Sequence, residues 1–426
     1  MLRYLKEKIK TEFFIAFGTT SIATILQVCI GIIVNKIIAI KVGPPGMAVL
    51  SQFIDFKNLV TNVSVFGSSQ GVTKYVSDPN YNTKKLLSTV TSFILILSLL
   101  LSVFLFVFSS FVSQWILGSR DYYFVIMFFA VTLVFFALNT TLVASINGFR
   151  NYKLLAKVKI INSLVGLLLS GILTWFFFLE GALIAIAINT SIVFFATLFL
   201  LGKNKTKFFY LNFKLFSSSL FKKILGFSIM ALVGLILKPT VQIYIRDYIT
   251  VNSSSFNAGL WDSMKKMSEY YTQIITVSLG VYYLPKLSSL KSNFDLKEEM
   301  VSGIKKVSLI FSIMAVVIFG FKDLLIQLLF SGDFMLMRDL FFPQLSGDLL
   351  MLISFMIAYL MLAKEMIKEF VLLQIIMSIT RVIFSVLLFD IEGIKGVIWA
   401  NMINYLLYII LLSFFLRNVL FSKDTV

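Results

Sequence analysis

The sequence predicts an all-α integral membrane protein, about twelve spanning helices arranged as two six-helix bundles. Three observations carry this. Hydrophobic residues make up 58% of the 426, and mean hydropathy is +0.93. Soluble domains hold about 45–50% apolar residues, so this excess has no aqueous core to hide in. The apolar residues also come in long runs, each able to supply the roughly 20 residues that a spanning helix needs. Short lysine-bearing stretches separate the runs, and the alternating short strands of a membrane barrel are absent from the pattern.

Taken in order, Met1 to Glu12 is polar and basic. The run that follows is too long for a signal-peptide core and has no small-residue cleavage signature, so it reads as a retained first helix over 13–40. Further segments fall at 46–73, 86–117, 122–147, 154–177 and 181–201. A polar stretch, 203–217, follows; it separates an N-terminal bundle, 1–202, from a C-terminal bundle, 218–426. The second bundle is expected at 218–245, 256–283, 304–330, 340–363, 369–389 and 393–416. Two such halves are a common transporter construction, with the ligand site near their interface at mid-membrane depth. A weak echo joins them: Asn35-Lys36 then Gly46, and Arg246-Asp247 then Gly259.

Loop charge gives orientation. With the N-terminus inside, one side carries 26 cations, among them Arg3, Lys6, Lys74, Lys84, Arg150, Lys153, Lys157, Lys207, Lys222 and Lys306. The other side carries 6: Lys41, Arg120, Arg246, Lys322, Arg338 and Lys395. Cytoplasmic loops hold the excess of Lys and Arg, which places both termini inside.

Several chemistries drop out. The net charge of +17 invites a nucleic-acid reading, but the lysines sit in short clusters between apolar runs, so no nucleic acid is expected as partner. Cys29 is the one cysteine, so no internal disulfide forms, and no histidine is present for metal sites, triads or proton relays. No GxxxxGK[ST] loop appears, so the chain does not hydrolyse ATP itself, and no cofactor is expected.

Charges inside a bilayer cost about 2.5–3.5 kcal/mol each at a helix centre, so their presence marks function or pairing. In the second segment Ser51, Asp55, Asn58, Asn62 and Ser69 share one arc of the helical wheel, and Lys57, Thr61, Ser64 and Ser68 the next. The eighth holds Asp262, Lys266 and Glu269 on one face. Lys265 there can reach Asp262 and Glu269 in a ladder that neutralises itself. Lys238 precedes the kinking Pro239, Arg381 lies in the eleventh segment, and Lys36 lies deep in the first. Lys36, Lys57, Lys238, Lys266 and Arg381 are therefore candidate substrate-binding cations. Asp55, Asp262 and Glu269 are candidates for proton or sodium coupling. The excess of cations suits an anionic cargo such as a pyrophosphate.

Four stretches add a resemblance: Val42-Gly43-Pro44-Pro45-Gly46; Gly71-Val72-Thr73-Lys74-Tyr75-Val76; Gly259-Leu260-Trp261 with Ser268-Glu269-Tyr270 and Tyr282-Tyr283-Leu284-Pro285-Lys286-Leu287-Ser288; and Met337-Arg338-Asp339-Leu340-Phe341 with Gln344-Leu345-Ser346-Gly347-Asp348. In family order, they resemble the Wzx-type flippases of lipid-linked O-antigen and enterobacterial common antigen. These belong to the multidrug/oligosaccharidyl-lipid/polysaccharide exporter (MOP) superfamily. The resemblance implies a MATE-like fold and a place in the bacterial inner membrane. It implies a cargo of undecaprenyl-pyrophosphate-linked oligosaccharide moved to the periplasmic leaflet, with a polysaccharide polymerase and a chain-length regulator as partners. A drug/cation antiporter of the same superfamily would call for an acid-dominated buried set. A polysaccharide-processing membrane enzyme would call for a large periplasmic loop or a membrane histidine. Neither feature is present.

Overall fold

In a computed structural model the backbone is described over residues 2–202, 205–290, 292–364 and 366–417. Arg3, Lys6, Lys8, Lys10, Lys203, Lys205, Lys291 and Lys423 of the charge count, and Tyr282, Leu284, Pro285 and Ser288 of the third motif, have side chains outside this description. All regular structure among the described residues is helical. The chain divides into two compact units: Met1–Val42 with Leu50–Pro239, and Gly43–Val49 with Thr240–Val426.

Unit 1 begins with α1 (Leu2–Ser64). Its 63 residues would run about 95 Å at 1.5 Å per residue, three times the apolar thickness of a bilayer. The helix breaks at Gly43, where φ is 65°, and Pro44 and Pro45 supply no backbone donor to heal the break. Then come α2 (Ser69–Val76), α3 (Thr83–Val107), α4 (Ser109–Leu117), α5 (Tyr123–Gly148), α6 (Tyr152–Leu201) and the single turn α7 (Lys205–Phe208). Short polar side chains start these helices: Asn82 Oδ1 accepts from the Lys85 N–H, and Asn151 Oδ1 from that of Leu154. The 50-residue α6 reverses at Phe178, with φ 48° and ψ −126°, so the expected fifth and sixth segments are its two arms. Phe53 and Phe56 of α1 stand edge-on to Phe129 of α5, at 5.9 and 6.3 Å. Val72, Leu86, Leu87 and Ile94 fill one core, and Leu142, Ile146, Val158 and Val193 another.

The helix α8 (Ser218–Asn252) carries the chain into unit 2 at Pro239. There follow α9 (Ser255–Ser289), α10 (Asn293–Gly320), α11 (Lys322–Leu329), a 3-10 stretch (Gly332–Leu340), α12 (Phe341–Ala363), α13 (Ile367–Glu392) and α14 (Ile394–Phe415). A Cβ at Gly259 of α9 would overlap the Pro44 carbonyl, so two motifs far apart in sequence are packed backbone to backbone. Leu279, Leu287, Met356, Leu360, Leu373 and Leu412 belong to one buried core of this unit. The most apolar stretch within 332–361 is 61% buried and that of α10 only 6%, so α12 is central in this unit and α10 faces lipid.

Among the described residues, eight elements are long and apolar enough to cross a membrane. Phe199, Val251 and Val316 stand 88, 75 and 74% exposed, surface only lipid covers cheaply. Lys41 sits 3.8 Å over the exposed Trp175, the pairing expected at a membrane–water interface. The chain is a multi-pass membrane protein.

Candidate functional site

The polar residues of the spanning helices separate into paired and unpaired sets. In unit 2, Arg246 of α8 meets Asp262 of α9 in a two-pronged buried ion pair, Nε to Oδ2 at 2.5 Å and Nη2 to Oδ1 at 2.8 Å. Arg246 was expected in a loop; it lies inside α8 and is 2% exposed. The segment boundary drawn at 245 stopped short, because a helix continues through a charge when a partner waits on its neighbour. Lys265 reaches Asp262 at 3.4 Å, donates to Gln242 of α8, and stands 4.2 Å over the buried Trp261 ring. The ladder expected within α9 thus forms on its Asp262 side and draws its main cation from α8. Glu269 is exposed, and Lys266 is half-buried.

A second cluster is centred on Asp348 of α12, 1% exposed. Its Oδ2 accepts from Ser268 Oγ at 2.8 Å and from the Tyr271 hydroxyl at 2.5 Å, both on α9. Its Oδ1 accepts from Gln344 Nε2 at 2.8 Å. Three neutral donors hold this carboxyl. Sequence reasoning quoted Asp348 within a motif and gave it no role. Gln344 and Asp348 stand four apart in an apolar helix, the same signal that singled out Asp55. On α13, Arg381 is 8% exposed and its Nη1 has no hydrogen-bond partner among the described residues. Beside it Thr380 donates to Asn404 Oδ1 of α14 at 2.7 Å, and Asn404 Nδ2 donates to the Met377 carbonyl at 3.1 Å.

In unit 1 the polar face of α1 resolves into two kinds. Thr61, Ser64 and Ser68 are buried, and each donates to a carbonyl three or four residues earlier in its own segment at 2.6–2.8 Å. Those hydroxyls satisfy themselves and need no cavity. Asp55 and Lys57 are half-buried and Asn58 is exposed; Asp55 and Asn58 lie on the side away from the buried Phe53 and Phe56, while Lys57 turns toward α5 and α6. Lys57 Nζ lies 3.4 Å from the Ile186 carbonyl of α6 and 5.7 Å from the Phe136 ring. Lys36 is half-buried, and Lys238, beside the kink-prone Pro239, is exposed. Among the described residues no carboxylate lies in ion-pair range of Lys57, Lys266 or Arg381. Each of these cations can pair with a negative group, and no cluster able to hold a metal ion occurs among the described residues.

Comparison with known proteins places this architecture. The model of the polysaccharide biosynthesis protein family matches residues 46–337, and the chain belongs to that family. It is 28% identical over 396 residues to the Lipid III flippase of Escherichia coli (strain K12), covering 91% of this chain and 94% of that protein, and equally to the Lipid III flippase of Shigella flexneri. The resemblance to lipid-linked flippases, carried by the four motifs, stands, and these relatives are transporters rather than enzymes. An inward-facing multidrug resistance MATE family transporter of the MOP superfamily superposes with a TM-score of 0.78 at 14% identity, over 96% of this chain and 100% of that one. The fold is therefore MATE-like.

Proposed function

We propose that the chain is a flippase that moves an undecaprenyl-pyrophosphate-linked oligosaccharide, such as an O-antigen repeat unit, from the cytoplasmic to the periplasmic leaflet of the bacterial inner membrane. The observation that carries this is the near full-length match to two Lipid III flippases. The unpaired cations add chemistry. Lys57, Lys266 and Arg381 lack carboxylate partners among the described residues, while Asp262 is neutralised by Arg246. An anionic pyrophosphate head group recovers the cost of burying them through charge-assisted hydrogen bonds. Counting the breaks at Gly43 and Phe178 as span boundaries, and α3–α4 and α10–α11 as one span each, gives twelve spans in two six-helix halves, with both termini cytoplasmic. Transport then runs by alternating access, with Asp55, Asp262 or Glu269 coupled to protons or sodium. Asp262 is the weakest of the three, since its charge is already matched.

The test reconstitutes the full chain in vesicles with a fluorescent undecaprenyl-pyrophosphate oligosaccharide and follows its protection from an impermeant quencher. Transbilayer movement above that of protein-free vesicles is expected. Movement of a quaternary-ammonium drug and not of the lipid-linked sugar would favour the cation antiporter reading instead.

A further inference from the structure

We propose that the lysine-rich rim of unit 1 carries a binding site for one anionic phospholipid of the surrounding bilayer, its phosphodiester held between Lys153 and Lys157. The two arms of α6 return to the same rim there. Its first turns and its last turn line an open cavity of about 270 Å³, with Phe208 of α7 as a third wall. Lys153 and Lys157, four residues apart, share one helical face of that cavity. The start of α6 presents the positive end of its helix dipole beside them. Lys207, 5.1 Å over Phe149 and 5.7 Å over Phe208, adds a third cation at the rim. From Arg150 to Lys223 the sequence holds ten cations and a single acid, Glu180, which follows the reversal at Phe178, at the far end of both arms. Among the described residues no carboxylate lies in ion-pair range of Lys153 or Lys157, and an external anion supplies the missing charge.

The remaining walls say which anion. Asn151 adds one polar side chain, and Leu154, Leu200, Leu201 and Phe208 are apolar, so the ligand is amphipathic. Back along α6 from Leu201, Phe199 and Phe195 stand 88 and 55% exposed, a flank suited to an acyl chain. Basic pockets at the cytoplasmic ends of spanning helices bind anionic lipid head groups for these reasons. The cavity has the volume of about nine liquid waters at ~30 Å³ each. That is room for a phosphodiester head. The site is confined to unit 1. The positions of unit 2 reached by adding 215 to 153, 154 and 157 are Lys368, Glu369 and Leu372, where an acid and a leucine break the pattern.

The experiment is native mass spectrometry of the purified full chain titrated with palmitoyl-oleoyl phosphatidylglycerol. One lipid should bind with an affinity that phosphatidylcholine does not match. The Lys153→Gln/Lys157→Gln pair should weaken it roughly thirtyfold. Leu201→Trp, which fills the cavity and spares both lysines, should weaken it comparably. Lys368→Gln should change it by less than about twofold. Four results would each overturn the proposal: no loss in the double variant; an equal loss in Lys368→Gln; displacement by glycerol 1-phosphate, which would mark a free-phosphate site; or displacement by undecaprenyl diphosphate, which would mark the rim as a cargo site.

Discussion

Carried forward by 215 residues, several close contacts of unit 1 fall on contacts of unit 2. Thr132 against Ala187 becomes Gly347 against Met402, and Asn162 with Asn189 becomes Met377 with Asn404. Gly181 lies against the Leu173 carbonyl and Gly396 against that of Leu388. The reversal at Phe178 recurs at Gly393. With an offset of 213, the interruption at Phe108 recurs at Phe321. The side chains do not repeat in the same way. The buried Leu133 becomes the buried Asp348, and Gly166, packed on Asn189, becomes the buried Arg381. The two halves share a backbone plan set by breaks and close approaches, while the buried ionic chemistry at these matched positions was placed in the second half alone. An echo seen only as Gly46 and Gly259 in the sequence is thus one point of a repeat that runs through most of the chain.

The strongest way to break this comparison is to give unit 1 the residue of unit 2. Leu133→Asp puts a carboxyl into a fully buried site where Phe129 stands in the place of Gln344. A buried carboxylate without donors costs several kcal/mol. We expect little monodisperse protein by size-exclusion chromatography; a wild-type yield would mean that Asp348 does not depend on its three donors. Next in size is Arg246→Ala, which strips the principal partner from Asp262 and leaves Lys265 alone beside it. The expected loss is about 3–5 kcal/mol, read as a large drop in apparent Tm in detergent. An unchanged Tm would show that Lys265 alone neutralises Asp262.

A smaller and more informative change is Asp348→Asn. The amide keeps one acceptor oxygen but turns a donor toward the hydroxyls of Ser268 and Tyr271, which can rotate to accept. The stability cost should be about 1–2 kcal/mol. If this carboxyl takes part in transport, movement of the lipid-linked sugar in vesicles should fall at least tenfold while the protein stays folded. Equal transport by the two proteins would make Asp348 a tie between α9 and α12 and nothing more.

The fold was largely legible because the bilayer imposes one rule on every segment: bury the backbone in a helix and show lipid an apolar surface. That rule located the runs ending near Gly43 and Phe178, although the helices join across both points. It could not read partnership. Arg246 looked like a loop residue because its partner lies sixteen residues on, in the next helix. Thr61, Ser64 and Ser68 looked like a cavity wall because a hydroxyl bonded to its own segment has the same sequence signature as one facing water. Asp348 shows the same i, i+4 polar pairing as Asp55, with Gln344, but two of its three donors, Ser268 and Tyr271, come from α9, and that part of the cluster has no signature in the sequence of α12.

The smallest expected effect tests whether the repeat or the local side chain dictates the reversal within each half. At Phe178 the backbone has φ 48° and ψ −126°, and at Gly393 φ 59° and ψ −138°. Glycine enters this region freely; a residue with a Cβ is strained there by about 1–3 kcal/mol. Unit 1 tolerates that strain because the reversal is held from both sides, by Gly181 against the Leu173 carbonyl and by the aromatic ring, which lies 5.5 Å from Lys41. Lys41 also keeps its closer contact with Trp175, so removing the ring forfeits little. Phe178→Gly should therefore raise apparent stability by about 1 kcal/mol, and Gly393→Ala should lower it by about the same amount. Both are measurable as opposite shifts in Tm in one detergent. If Phe178→Gly destabilises the protein as much as Gly393→Ala does, the ring itself holds the reversal, and the two halves reach the same backbone by different means.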